Sequence, residues 1–263
     1  MSDTWVVVAV LVVLLASSAS GVFLQRVLKE HQRSRETVDA VRLVISILVT
    51  FTALVLSLLT STVKGSYDSF DTRLRSFAGD ITRLDTRMRE YGEEASPIRA
   101  KLRAYAASVI ADTWSSEPRP SGDYPKFSDS VNIERAQLGA LLVDVDVAVR
   151  RLEPTDAYHR KLAALLETRM TELLQQRRLL IETVHDTISW PLLTGMTAWL
   201  AIVFAVFGLI APSNAVVHTT IFLCALSFTS AIFLILEFDK PISGIIHVSS
   251  VPMRDALRHL DAP

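Results

Sequence analysis

The stretch that decides the fold runs from Arg42 to Tyr91: RLVISILVTFTALVLSLLTSTVKGSYDSFDTRLRSFAGDITRLDTRMREY. Its first half, Leu43 to Val63, is 21 residues without a charge. A helix rises about 1.5 Å per residue, so roughly 20 residues cross a hydrocarbon core of about 30 Å. The second half carries Tyr67, Phe70, Leu74, Phe77, Ile81, Leu84, Met88 and Tyr91 at alternating steps of three and four. That spacing is the a/d stripe of a heptad repeat, which reads as coiled coil or as a helix packed along one face. Only Gly65 interrupts the helical pattern between the halves. One helix is therefore expected to cross the membrane and continue into water.

Three further runs lack charge: Trp5 to Leu24, Thr187 to Val217 and Thr219 to Leu236. The Thr187 run is longer than one span needs. Pro191 and Pro212 divide it into a helix of about Trp190 to Ala211 and a turn at Pro212-Ser213-Asn214. The first run ends in Ala16-Ser17-Ser18-Ala19-Ser20, which could pass for a signal-peptide cleavage site. Its leading residues Met1-Ser2-Asp3-Thr4 hold no basic residue, and apolar character continues through Leu24, which favours a retained span. Trp5 suits an interfacial position.

Between spans two and three lies Lys64 to Asp186, with 39 of the chain's 55 charged residues. The whole-chain figures of 50% hydrophobic and 21% charged residues are thus an average of two populations. The expected fold is an all-α membrane protein with four transmembrane helices and a long helical stalk between spans two and three. The segments are 1–63 (spans one and two), 64–186 (stalk), 187–236 (spans three and four) and 237–263 (a C-terminal motif and short amphipathic helix).

Within the stalk, Ile98, Leu102, Tyr105, Val109 and Trp114 continue helical spacing after a break expected at Ser96-Pro97. Pro118, Pro120, Gly122 and Pro125 mark a loop over Ser115 to Asn132. A helix is expected over Ile133 to Leu152. Thr155 or Asp156 then caps a last one, with Tyr158, Leu162, Leu165, Leu173, Leu180 and Val184 on its apolar side. Ser250 is expected to cap the tail helix, whose face Met253, Ala256, Leu257 and Leu260 rests on the membrane surface or on the stalk.

A net charge of −1 gives no reason to expect nucleic-acid binding. The lone Cys224 excludes an internal disulfide framework and a cysteine zinc cluster. No nucleotide-binding, serine-hydrolase or zinc-protease motif occurs, and the histidines are scattered, so neither an enzyme nor a cofactor or metal site is expected. Span two is more informative. Arg42, Ser46, Thr50, Ala53, Ser57, Ser61 and Lys64 form one small and polar stripe, either a helix-packing face or a water-lined path. Its serines and threonines can also satisfy themselves on their own helix. The opposite-leaning stripe Ile47, Phe51, Leu54 and Leu58 is apolar and could face lipid or form a hydrophobic constriction.

Span four ends in Phe228-Thr229-Ser230-Ala231-Ile232-Phe233-Leu234-Ile235-Leu236-Glu237-Phe238-Asp239-Lys240-Pro241-Ile242-Ser243-Gly244. With Val248-Ser249 and Pro252-Met253-Arg254-Asp255-Ala256-Leu257, this resembles the closing motif of the bestrophin-like family of mostly bacterial membrane proteins. The sharpest match is Asp239, Pro241 and Gly244. The opening half, with spans one and two and a charged helix from Tyr67, is similar too. The resemblance implies a likeness to bestrophins, which are pentameric calcium-activated anion channels with four spans per subunit. By that likeness span two lines a pore, Ile47, Phe51 and Leu54 are neck candidates, and the chain forms a homo-oligomer. The bestrophin calcium clasp needs a dense acidic run after span four. Only Glu237 and Asp239 stand here, so calcium gating is not expected.

Two readings follow. One is an oligomeric channel for small anions such as chloride, with Arg42 and Lys64 favouring anions at the ends of the stripe. The other is a membrane-anchored scaffold or sensor whose stalk binds a partner protein. In either case the partner common to both is the lipid bilayer of the cell (inner) membrane. Lys64, Arg73, Arg75, Arg177, Arg178, Lys240, Arg254 and Arg258 outnumber Arg26, Lys29, Arg33 and Arg35 on the opposite side. This places the stalk and both termini in the cytoplasm. In a Cys224→Ala background, Ser121→Cys is expected to react with an impermeant maleimide only from the cytoplasmic side, and Ser34→Cys only from outside. The reverse pattern inverts the topology.

Overall fold

A computed structural model describes residues 2–27, 35–126, 136–184, 190–212 and 214–262. The helices are α1 (Ser2–Val27), α2 (Arg35–Tyr91), α3 (Ser96–Thr113), α4 (Ala136–Arg150), α5 (Ala157–Val184), α6 (Trp190–Ile210), α7 (Ala215–Phe238) and α8 (Val251–Asp261). A short 3-10 turn, Glu93–Ala95, precedes α3. There is no strand among the described residues. The fold is all-α, and α1, α2, α6 and α7 are long and apolar enough to cross a membrane. Of the basic linker, Lys29 and Arg33 lie outside the described residues.

The chain forms two compact units, residues 1–65 with 187–239 and residues 66–186 with 240–263. In the first, Val10 and Leu14 of α1, Leu59 and Val63 of α2, Leu193, Met196, Leu200 and Phe204 of α6, and Ala225, Ile232 and Ile235 of α7 share one core. Its tightest point is the crossing of α1 and α6. A Cβ on Gly21 would stand 1.9 Å from the Ala205 carbonyl oxygen, and one on Gly208 would stand 2.1 Å from that of Ser18. Only glycine lets these backbones touch, the usual device by which helices associate where no hydrophobic drive acts between them. Of the small-residue run that resembles a cleavage site, Ser18 is buried in this crossing. Asn214 starts α7 by accepting the Val217 N–H on Oδ1 at 2.8 Å.

The second unit buries the heptad stripe. Phe70, Leu74, Phe77, Ile81, Leu84, Met88 and Tyr91 lie in one core with Ile98, Leu102, Tyr105 and Val109 of α3, Leu138, Leu142, Val145 and Val149 of α4, and Leu162, Leu166, Met170, Leu173 and Leu180 of α5. The stripe is therefore packed within the chain. Burial pushes the Tyr105 phenol up to about 12, against the pull of Arg177.

α8 belongs to this core through Met253, Ala256, Leu257 and Leu260, which decides between the two surfaces open to it. It is held by charge as well. Asp85, fully buried, accepts from Arg89 Nε at 2.8 Å and Arg99 Nε at 2.7 Å. Arg89 also donates to the carbonyls of His259 at 2.6 Å and Ala262 at 2.9 Å. Arg103 Nε meets Asp261 at 2.5 Å.

Three local expectations shift. The break falls at Gly92, not at Ser96-Pro97. Gly92 takes φ +102, a conformation that side-chain-bearing residues avoid, while Pro97 sits in the first turn of α3, where its missing N–H costs nothing. Ser250 precedes α8 but makes no side-chain cap, because its hydroxyl donates to Glu117. On α5 the buried line runs through Leu162, Leu166, Met170 and Leu173, leaving Tyr158 exposed and Leu165 half-buried. The fourth helix is described from Ala136 to Arg150, and residues 127–135, the end of the expected loop and the start of the expected helix, lie outside the described residues. At α5 itself Asp156 is the cap, accepting the His159 backbone N–H at 2.8 Å.

Gly208→Val is expected to destabilise the protein in detergent by about 3 kcal/mol, the upper end of overpacking costs. Gly195→Ala, where nothing lies within 4 Å, should be neutral or slightly stabilising. Equal melting temperatures for Gly208→Val and wild type would contradict the crossing. The His159 backbone N–H and ring also hold the Asp156 carboxyl below its usual range. Its contribution is present above the unfolded value of about 3.9 and lost as pH falls through the lower folded value. Asp156→Ala should therefore lower the melting temperature at pH 7, with the difference from wild type shrinking on acidification.

Candidate functional site

The residues with unusual chemistry for a membrane span sit on α2. Its packed face is narrow: Ile45, Thr52, Leu59 and Val63 are buried, with Leu48, Val49, Val55 and Leu56 half-buried beside them. At about 100° per residue the rest of the circumference divides into two more stripes, each roughly a third of a turn from the packed one. Arg42, Ser46, Thr50, Ala53, Ser57, Ser61 and Lys64 occupy one, and all seven are exposed. Ile47, Phe51, Leu54 and Leu58 occupy the other and are 50–70% exposed. The small and polar stripe is thus not used for packing within its own unit.

The hydroxyls of this stripe are partly engaged by their own helix. Ser46 donates to the Leu43 carbonyl at 2.7 Å and Thr50 to that of Ser46 at 2.8 Å. Such bonds make the residues tolerable in an apolar setting while leaving oxygen lone pairs for water. At one end Arg42 approaches Asp39 at 3.4 Å, with both side chains mostly exposed. An exposed pair at that distance adds little stability. At the other end Lys64 Nζ lies 5.7 Å from the centre of the Phe238 ring, within cation–π range. Within the first unit the end of the stripe therefore meets the end of α7, where Glu237 is buried. On the apolar stripe, Phe51 packs edge-on against Trp199 of α6 with ring centres 5.1 Å apart.

The three residues of the closing motif have separate tasks. Asp239 ends α7, its N–H donating to the Ile235 carbonyl at 3.2 Å. Pro241 is buried in the second unit, and its carbonyl accepts the Val248 N–H at 2.8 Å. Gly244 closes the intervening turn, its N–H donating to the Lys240 carbonyl at 3.2 Å. Val248 in turn accepts the Trp114 indole N–H at 2.8 Å. Arg254 then ties the tail to the loop after α3, through Glu117 at 2.9 Å and the Pro118 carbonyl at 2.8 Å. Sequence reading places the motif but misses its partners Trp114 and Glu117. More than 130 residues separate them from Val248 and Arg254, and no local pattern signals the pairing. Among the described residues no three His, Cys, Asp or Glu side chains gather where they would hold a metal ion.

Compared with known proteins, the chain matches the family described as Bestrophin-like domain over residues 10–253, from within α1 to within α8. No curated protein and no solved structure matches it. The match spans both units, and the chain belongs to the bestrophin-like family.

Proposed function

We propose that this bestrophin-like membrane protein assembles with copies of itself and conducts small anions, chloride among them, along a path lined by α2. The observation that carries the reading is the exposure of Arg42, Ser46, Thr50, Ala53, Ser57, Ser61 and Lys64 on a helix long and apolar enough to cross a membrane. Two cations and a line of hydroxyls are costly against hydrocarbon, so such a face belongs against water or another protein surface. Around an axis shared by several copies the stripe would form a wetted wall. The basic ends would favour anions, and Ile47, Phe51 and Leu54 would narrow the path as a neck. A pentamer is the stoichiometry the bestrophin likeness suggests. We place the protein in the inner membrane, with the second unit and both termini in the cytoplasm. It has no catalytic role in this reading.

A membrane-anchored scaffold or sensor is the second reading. It is favoured by Val143 and Val147, which stand 49% and 38% exposed one turn apart on α4 and offer an apolar contact to a partner protein.

The first reading is tested by reconstitution. Purified oligomer in liposomes should pass chloride faster than empty vesicles, and Ser57→Trp should change that flux several-fold with the assembly intact. A monomer in mild detergent, or a well-assembled oligomer without flux, overturns the channel. Capture of a cytosolic protein that Val143→Asp abolishes would then support the scaffold.

A further inference from the structure

Behind the packed face of α2, Val49 and Thr52 join Val203 and Phe204 of α6 and Ile221 and Cys224 of α7 around a cavity of about 190 Å³. No charged side chain lines it. The hydroxyl of Thr52 donates to the Leu48 carbonyl at 2.8 Å, and that of Thr220, at the rim, to the Val216 carbonyl at 2.9 Å. A trapped water needs two to four polar partners, and this lining supplies almost none. Apolar cavities of about 150 Å³ stay dry and take up benzene-sized molecules. The rim is open: Phe207, Thr220 and Cys224 are exposed, and Ile202, Phe222, Leu223 and Leu226 carry the same apolar character outward. The cavity therefore opens onto exposed apolar surface of α6 and α7, the kind of surface that a spanning helix turns to lipid, and its volume suits several methylenes.

We infer that an acyl chain of a bilayer lipid occupies this cavity and acts as a wedge behind α2. The regulatory half rests on the channel reading above. Val49 and Thr52 flank Thr50 and Phe51 in the same turn, so a chain pressing on the cavity wall sets where the polar stripe and the neck stand. Lipids of different chain length or unsaturation would fill the space differently and bias conduction.

Cys224 is the described free thiol at the rim, and it reports occupancy directly. In the oligomer purified with its lipid, Cys224 should react slowly with N-ethylmaleimide. Exhaustive delipidation should speed the reaction several-fold, and adding dioleoylphosphatidylcholine should slow it again. Native mass spectrometry should show retained lipid on wild type and Cys224→Ala, and less on Cys224→Trp, whose ring fills the rim. Fast reaction under every condition means an open groove and overturns the proposal. Protection that survives delipidation but disappears when the oligomer dissociates means that a second copy covers the groove, which also overturns it. In liposomes of differing chain length, wild-type chloride flux should vary and Cys224→Trp flux should not. Absence of flux with lipid-dependent protection intact would sink the channel reading and leave the lipid site standing. Flux that is insensitive to lipid would remove the wedge alone.

Discussion

Two glycines set the terms for the first unit. Gly21 and Gly208 bring the backbones of α1 and α6 into contact, closer than any pair of side chains would permit. Helices in hydrocarbon gain nothing from burying apolar surface against each other. They associate where atoms fit closely, and a crossing at backbone distance gives dispersion its shortest range. With α6 so engaged, α2 keeps only the narrow strip of Ile45, Thr52, Leu59 and Val63 for contact inside the unit. Most of its circumference is left over, including the stripe that carries hydroxyls and cations. The exposure on which the functional reading depends is thus what packing within the unit leaves uncovered on α2.

The second unit solves a different problem. It carries an apolar stripe among charged residues, and ordinary hydrophobic burial of that stripe supplies the drive. Its specificity comes from a buried carboxylate. Asp85 is shared by Arg89 and Arg99, and Arg89 reaches on to the carbonyls that end α8. A buried charge with partners on separate elements adds little net stability, but removing one partner leaves an uncompensated charge. This arrangement fixes which face of α8 meets which turn of α2, because a slip would take the His259 and Ala262 carbonyls away from Arg89.

The sequence made the spans legible because a bilayer imposes a length and a polarity that few soluble helices share. It also displayed the heptad stripe of α2, since periodicity is a local property. It could list Ser46, Thr50, Ser57 and Ser61 as one line but could not say which way the line faces. That depends on which residues of α2 the other spans cover, contacts between distant segments that leave no mark on either segment alone. For the same reason Ser250 read as a cap: the competing acceptor, Glu117, is a distant residue. The break at Gly92 went to Pro97 instead, because proline is visible in any context while glycine marks a turn only when the chain takes a positive φ.

The place of α8 in the second core has a consequence for the order of synthesis. The core begins with α2, continues through α3, α4 and α5, and is completed by Met253, Ala256, Leu257 and Leu260. Between α5 and α8 the ribosome makes α6 and α7, which enter the membrane. For that interval the surface destined for α8 has no cover and Asp85 lacks the helix that Arg89 will grip. Such uncovered apolar surface is where nascent chains aggregate or recruit chaperones. The second unit can therefore complete its core only after α6 and α7 have been made.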